Sequence, residues 1–208
     1  MALAFAQIAF TPSVRDQQQR LGSGNYANLL SPERTGGDTL GPAESAFIEE
    51  RDGFYQATAS ETGWPYVQFR GGPAGFLRVL NDRTIAYADL RGNRQYISLG
   101  NLTANNRISL FLMDYAHARR LKIWGHVHVI ERNTPAGQAM PPDLFPAKAE
   151  RLIVIRVDAF DWNCPRHIPR RFTAGDAIRR IEQLEHQNAQ YRAELSAMHA
   201  RTAGTPQP

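Results

Sequence analysis

The sequence is poor in cysteine and has no long apolar run. Cys164 is the one cysteine among 208 residues, so the chain cannot close a disulfide within itself. Such chains are typical of a reducing compartment, and we expect a cytoplasmic protein. No stretch reaches the roughly eighteen apolar residues of a membrane-spanning helix, so we expect no membrane partner. The apolar start MALAFAQIAF lacks a basic segment before it and a cleavage-like site after it, which argues against a signal peptide.

No charge of one sign dominates the composition. The 24 lysines and arginines are largely offset by 20 acidic residues, which leaves a net charge of +4. A protein that binds a nucleic-acid groove concentrates its basic residues on one face, whereas here they are scattered along the chain. We therefore expect an anionic small molecule as ligand rather than nucleic acid. The 42% share of hydrophobic residues is typical of a globular domain with its own core.

Glycine and proline divide the chain into three parts. Residues 1–43 are interrupted by both and are predicted to form an N-terminal arm. Residues 44–172 hold strand-like segments separated by turn signals, namely FYQATAS, PYVQFR, GFLRVL, RTIAYA, ISLFLMDY, RLKIWGHVHVIE and RLIVIRVDAF. Six or seven strands with short helices between them indicate a mainly β, antiparallel barrel or sandwich. Residues 173–208 are predicted to be a C-terminal helix and tail.

One loop has the composition of an anion site. In YADLRGNRQYISLGNL a strand leads into Asp89, and a helix is predicted from about Arg94. Gly92 and Asn93 tolerate positive φ, so the chain can turn sharply and direct backbone N–H groups at one point. Arg91, Arg94 and the helix N-terminus add positive charge, which suits a phosphate. A solvated turn with ordinary surface arginines is the alternative.

The C-terminal helix carries a regular apolar stripe. The helix is predicted from about Ala174 to Ala200. Alternating three- and four-residue spacings connect Ile181, Leu184, Asn188, Tyr191, Leu195 and Met198. This is the a/d seam of a short coiled coil, with Asn188 as the polar residue at an a position. An amphipathic helix packed on its own barrel has the same pattern, so both arrangements remain open.

Two histidines share one face of a predicted strand. In LKIWGHVHV the side chains of His126 and His128 alternate with Val127 and Val129. Two imidazoles on one face can bind a metal, but no third ligand stands at a suitable spacing. We therefore interpret them as outward-facing polar residues and predict no metal site.

The order of several segments resembles a known family. Between Gly63 and Ile130 the chain contains, in this order, GWPYVQFRGGPAGFLRVL, IAYADLRGNRQYISLGNL, NNRISLFLMDY and RRLKIWGHV. This order resembles the pyridoxamine 5′-phosphate oxidase-like family of FMN-binding split barrels. The resemblance implies a six-stranded antiparallel split β-barrel with short peripheral helices, assembled as a homodimer. It also implies FMN at the subunit interface, with its phosphate held by the loop after the fourth strand.

The resemblance assigns particular residues to the flavin. The strand that runs along the flavin ring is matched by Gln68, Arg70 and Gly71. The phosphate loop is matched by Ala88, Asp89, Arg91, Asn93, Arg94 and Gln95. A polar residue that reaches the ring edge from the long hairpin is matched by Arg120. Residues against the partner's flavin are matched by Trp162 and Asn163. No residue is matched to a catalytic role.

Two segments of the sequence differ from the family pattern, and both differences bear on which reaction is expected. Its vitamin B6 oxidases have Ser-Arg-Lys in the phosphate loop and an Arg-x-Leu-x-Pro tail. This chain has Gly92, Asn93 and Arg94 in the loop, and it ends in IPRRF and a helix. The resemblance therefore implies an FMN-dependent oxidoreductase for a small or aromatic substrate, with NADH or NADPH as candidate reductant, rather than a pyridoxine phosphate oxidase. A flavin-binding sensor or electron carrier is one alternative, and the same barrel holding F420 or haem is another.

Overall fold

One antiparallel sheet contains the strands of the described part of the chain. The computed structural model describes residues 3–31, 33–162, 164 and 166–203, with side chains through residue 199. The strands are β1 (Gly53–Ala59), β2 (Pro65–Gly71), β3 (Leu77–Asn81), β4 (Thr84–Leu90), β5 (Arg107–Asp114), β6 (Arg119–Glu131) and β7 (Ala149–Trp162). Their order in the sheet is β2-β1-β5-β6-β7-β4-β3, and every neighbouring pair is antiparallel. The predicted antiparallel β class is confirmed, with seven strands in the sheet instead of six.

Short helices precede the first strand or lie between strands along the chain, and one long helix follows the last strand. They are α1 (Leu3–Ala9), α2 (Pro12–Arg20), a 3₁₀ helix (Gly24–Leu30), α3 (Pro42–Glu49), α4 (Ile97–Ala104), α5 (Pro135–Gln138) and the much longer α6 (Ala174–Ala203). Proline stands in the first turn of α2, α3 and α5, where its missing N–H is not needed. Within the described part of the chain, no helix is long and apolar enough to cross a membrane.

The chain divides into two compact units. One runs through Asp114 and resumes over Ala118–Ile168, so it contains the sheet and helices α1 to α5. The other combines Tyr115–His117 with the chain from Pro169 onward, which includes α6. The domain boundaries expected after residues 43 and 172 stay predictions.

The core lies on one face of the long strands. β5 and β6 bury every second residue, so that Leu110, Leu112, Leu121 and Ile123 are 0% exposed. The opposite face of β6 carries polar and aromatic side chains such as Trp124. This is the alternation that the sequence predicts for LKIWGHVHV, because successive side chains of a strand point to opposite faces.

A bulge at Gly125 brings β6 close to β7. The register of the two strands shifts between Trp124 and Gly125. A Cβ atom at Gly125 would lie 2.2 Å from the carbonyl oxygen of Arg156. The approach of the two backbones therefore requires glycine at this position.

A buried polar pair links β1 to β4 inside the core. The Tyr87 hydroxyl donates a hydrogen bond to Oε1 of Gln56, and both residues are buried. Burial raises the pKa of the Tyr87 phenol above its ordinary value of 10.0, because a phenolate would lose its hydration. The phenol is therefore protonated wherever the protein is folded at moderate pH.

We expect Tyr87 to make folding sensitive to alkaline pH. Its pKa is raised in the folded state, so its contribution to stability is complete below pH 10.0 and is lost above it. One proton bound only by the folded state corresponds to a loss of about 1.4 kcal/mol per pH unit. Urea unfolding between about pH 9 and pH 11 should show a flatter pH dependence for Tyr87→Phe than for the wild type. Tyr26→Phe, at an exposed tyrosine, should keep the wild-type slope. Identical slopes in all three proteins would contradict this assignment.

Candidate functional site

The loop between β4 and α4 has a constrained backbone. Helix α4 begins at Ile97, later than the start predicted near Arg94. Arg94 and Tyr96 have φ values of 66° and 54°, in the left-handed region that side chains with a Cβ rarely adopt. The sequence suggested Gly92 and Asn93 for positive φ, and this expectation is wrong. Such conformations persist where surrounding contacts hold them, and they cluster at ligand sites.

Local hydrogen bonds hold this loop in place. The backbone N–H of Gln95 donates to Asn93 Oδ1 at 3.2 Å, which forms an Asx turn. The Tyr96 hydroxyl donates to Glu150 Oε2 at 3.4 Å. The guanidinium carbon of Arg151 lies 5.3 Å from the centroid of the Tyr96 ring. The loop is thereby tied to the first residues of β7.

Asp89 connects three strands beside the loop. Its Oδ1 lies 2.8 Å from Nη1 of Arg70 on β2, and its Oδ2 accepts a hydrogen bond from Nη1 of Arg151 on β7 at 2.8 Å. The side chains of Arg151 and Asp89 are 10% and 9% exposed. Burial lowers the pKa of the Arg151 guanidinium, but the hydrogen bond and charge of Asp89 outweigh burial and raise this pKa above its ordinary value. Arg151 therefore stays charged inside the protein.

A small cavity of about 50 Å³ adjoins these residues. Its wall includes six of the predicted site residues, namely Gln68, Arg70, Asp89, Asn93, Arg94 and Gln95. It also includes residues that the sequence did not indicate, among them Tyr66, Tyr96, Ser98, Glu150 and Arg151. A water molecule needs at least about 10–15 Å³ of such space, so the cavity has room for a compact group and not for a fused ring system.

Most charged side chains around the small cavity have a partner of opposite charge among the described residues, but Arg94 does not. The carboxylate of Asp89 already faces two guanidinium groups, those of Arg70 and Arg151. Arg91 lies beside Glu150, with Nε 3.9 Å from Oε1 and 63% of its side chain exposed. Arg94 lines the cavity and forms no ion pair with any described residue. Its guanidinium is therefore available to an anionic ligand, which it could bind through two N–H groups at once.

Two of the wall residues that sequence reasoning missed, Ser98 and Arg151, shape this wall through contacts of their own. Ser98 on α4 donates to Gln68 Oε1 at 3.0 Å and so orients the amide. Arg151 stands directly opposite Asp89 in the register of β4 and β7. The sequence held one signal for it, since Arg151 directly precedes the apolar run LIVI, and a charged residue on a buried strand has to find a partner.

Gly71 and Ala88 line a second, larger cavity. It measures about 410 Å³ and shares Arg70 and Leu90 with the small one. Other wall residues are mostly apolar, among them Phe76, Leu144 and Pro146. Its volume lies within the range of about 300–1,000 Å³ that is common for small-molecule sites. The two cavities together bring most of the predicted flavin residues to one region.

Among the described residues, Arg91, Arg120 and Trp162 are predicted site residues that line neither cavity. Arg120 lies on β6 with its guanidinium carbon 6.0 Å from the centroid of the Phe111 ring, and its Nε is buried without a hydrogen-bond partner. Trp162 ends β7 and donates to Glu44 Oε1 at 2.7 Å. Asn163 lies outside the described residues. The flavin contacts assigned to all the predicted site residues stay predictions.

The two histidines of β6 have different surroundings. Nδ1 of His126 is hydrogen-bonded to Oδ2 of Asp158, whereas His128 is exposed. Over the residues that the structure describes, no group of three or more His, Cys, Asp or Glu side chains is arranged to hold a metal ion.

We expect Asp89→Asn to destabilise the fold strongly. Removing one member of a buried ion pair typically costs about 3–5 kcal/mol, because the remaining charge is left without compensation. Asparagine keeps the shape of the side chain, so the loss reports the charge itself. Asp143→Asn is the matched control, since Asp143 pairs with Arg78 at 3.4 Å with 65% of its side chain exposed. The control should change the free energy of unfolding by less than about 1 kcal/mol. Equal effects of the two replacements in urea unfolding would contradict a structural role for Asp89.

Comparisons with known proteins address the family directly. A family model described as pyridoxamine 5′-phosphate oxidase matches residues 40–160. No protein of curated function matches the chain. HupZ of Group A Streptococcus is 15% identical, with a TM-score of 0.45 over 58% of this chain and 91% of its own. An F420 reductase is 19% identical, with a TM-score of 0.43 over 59% of this chain and 98% of its own.

A third solved structure is a pyridoxamine 5′-phosphate oxidase-related, FMN-binding protein from Nostoc punctiforme. It is 13% identical, with a TM-score of 0.42 over 61% of this chain and 85% of its own. At such identities and scores these structures reveal nothing about the ligand of this chain. The family match, in contrast, covers more than half of the sequence and includes β1 to β6 and most of β7. The chain belongs to the pyridoxamine 5′-phosphate oxidase family.

Proposed function

We propose that the protein is an FMN-binding flavoprotein whose β4–α4 loop holds the phosphate of the cofactor. The observation that carries the proposal is the small cavity, whose wall includes Arg94, an arginine without an ion-pair partner among the described residues. A phosphate dianion needs charge-assisted donors, and arginine supplies two in a planar fork. The family match supports a flavin as the molecule that carries this phosphate.

The donor set fits the phosphate end of FMN and not its ring. The small cavity of about 50 Å³ takes a compact anion only. Asp89 does not repel that anion strongly, because its charge is matched by Arg70 and Arg151. The start of α4 at Ile97 adds backbone N–H groups and a partial positive charge on the same wall. The larger cavity beside it offers apolar space for a ring or a substrate.

We infer that the reaction is a redox reaction on a small or aromatic molecule. Bound FMN supplies the hydride or electron transfer, and the chain supplies binding and orientation. Side chains near the cavities are already engaged in structural roles, since Asp89 and Arg151 hold each other and Tyr87 is kept protonated by burial. We therefore assign no catalytic acid or base to this chain. NADH or NADPH is the proposed reductant.

A homodimer is part of this proposal. The side chains of β2 alternate, so that Gln68 and Arg70 face the small cavity while Val67 and Phe69 face outward. These two outward residues are 60% and 59% exposed, and Tyr55 on the neighbouring strand adds to the same apolar patch. A second copy covering this patch would bring its own residues beside the flavin strand.

The bound cofactor and its reduction test the function as a whole. Heat release of the cofactor followed by mass determination should give FMN, and NADH or NADPH should bleach the flavin absorbance of the holoprotein. Bleaching without a substrate that restores the colour would favour an electron carrier or sensor. Recovery of F420 or haem would overturn the FMN assignment while leaving the fold unchanged.

Replacing Arg94 should weaken FMN far more than riboflavin. A hydrogen bond to a charged group is worth about 1.5–3 kcal/mol, so Arg94→Ala should lower FMN affinity about 10- to 100-fold. Riboflavin has the same ring without the phosphate, and its affinity should barely change. Arg91→Ala should act more weakly, because Arg91 lies beside Glu150 and not on the cavity wall. Fluorescence-quench titration of the apoprotein at fixed salt measures both flavins.

A control separates this contact from a general loss of positive charge. Arg15 is exposed on helix α2, and Arg15→Ala should leave both affinities unchanged. Equal losses for FMN and riboflavin in Arg94→Ala, or no loss for either, would show that the phosphate binds elsewhere.

Phe69→Glu should convert the dimer into a monomer. The replacement puts a charge into the apolar patch that the second copy would bury, which is costly without a partner charge. Sedimentation of the wild type at micromolar concentration should show a dimer, and the variant should sediment as a monomer with weakened FMN binding. Leu80→Glu, at a residue of β3 that is 43% exposed, is the control and should stay dimeric. A stable wild-type monomer with bound flavin would overturn the proposed dimer.

A further inference from the structure

The long helix α6 begins at a well-formed cap. The backbone N–H of Asp176 donates to Thr173 Oγ1 at 3.1 Å, and the backbone N–H of Thr173 donates to Asp176 Oδ2 at 3.0 Å. The Thr173 hydroxyl also donates to Asp176 Oδ2 at 2.7 Å, and this bond together with the one from the Thr173 N–H holds the pKa of Asp176 below its ordinary value of 3.8. The reciprocal bonds satisfy N–H groups that a helix start otherwise leaves unpaired. The 30 residues that follow make a helix about 45 Å long.

The apolar stripe of α6 is exposed along its length. The stripe consists of Ile181, Leu184, Tyr191, Leu195 and Met198, each between 41% and 61% exposed. Most of the stability of a helix in a protein comes from packing of its apolar face, and water offers no such packing. Large side chains at alternating three- and four-residue spacings fit a partner helix of the same period.

We propose that α6 pairs with α6 of a second copy as a parallel two-stranded coiled coil. The proposed pairing does not rest on the identity of the ligand. With Ile181 at an a position and Leu184 at a d position, the polar residue Asn188 falls at the next a position. In a parallel pair the two asparagines meet in one layer and can hydrogen-bond to each other. In an antiparallel pair each would face Tyr191 instead. A buried asparagine at an a position fixes register and pairing at some cost in stability.

The charges beside the seam also fit a parallel pair. In this register Arg180 takes a g position and Glu185 the e position of the following heptad. A parallel pair brings these two residues together across the interface, once on each side. The flanking charges therefore fit a second copy of the same helix, and the asparagine layer selects the parallel orientation.

Cysteine cross-linking in the full-length chain tests this pairing. The native thiol is removed by Cys164→Ser, because Cys164 is free and exposed. In that background Leu184→Cys should be converted mostly into a covalent dimer under mild oxidation, since d positions of a parallel pair lie within disulfide reach. Ala193→Cys is the matched control on the opposite side of the same helix and should stay mostly monomeric on a non-reducing gel.

Charge exchange in the Leu184→Cys background tests the register. Arg180→Glu or Glu185→Arg alone should reduce cross-linking, because each places like charges across the seam. Mixing the two singly exchanged chains should restore cross-linking as a heterodimer.

Three results would overturn the proposal. Equal cross-linking of Leu184→Cys and Ala193→Cys would show random encounter of mobile helices. Cross-linking only in a mixture of Leu184→Cys and Leu195→Cys chains would show an antiparallel pair, in which the two positions 184 are about 16 Å apart along the axis. No cross-linking in any variant would show that the helices do not pair with each other.

Discussion

The carboxylate of Asp89 is the contact on which the candidate site depends. Asp89 lies on β4, near one end of the sheet order, and its carboxylate pairs with Arg70 on β2, the strand at the other end. β2 and β4 are not hydrogen-bonded neighbours in the sheet, so the ion pair of Asp89 and Arg70 connects them instead. Arg151 on β7 completes the arrangement from the other side. Without the carboxylate, two guanidinium groups would face each other in a poorly hydrated space, where like charges repel strongly.

The anion site follows from that neutralisation. Because Asp89 and Glu150 together balance Arg70 and Arg151, the positive charge that remains at the cavity belongs to the loop residue Arg94. The left-handed backbone at Arg94 and Tyr96 would be costly in an isolated turn. Here the Asx turn at Asn93 and the contacts of Tyr96 with the start of β7 hold it. The ion pairs of Asp89 and the loop that is proposed to bind the ligand therefore belong together, because the ion pairs make the anion site possible.

Two different surfaces offer ways to join copies of the chain. The outward face of β2 is a broad apolar patch backed by the residues of the small cavity, so burying it would couple assembly to ligand binding. The seam of α6 is narrow and regular, and its specificity comes from Asn188 and from flanking charges rather than from area. Closed two-fold pairing is compatible with each surface, since each would meet its own copy. The two surfaces also respond to different changes, so the contribution of each to assembly can be measured separately.

Local patterns in the sequence determined the strands, the core face of β6 and the start of α6, because alternation and capping are set by residues near one another in the chain. The order of several segments determined the family, which no single motif could do. The sequence also indicated the loop around Arg94 as an anion site. Only the tertiary structure placed Arg151 opposite Asp89, assigned positive φ to Arg94 and Tyr96, and added Ser98 to the wall. These features arise between residues that are distant in sequence, or from strain that distant contacts hold in place, and neither leaves a trace in local composition.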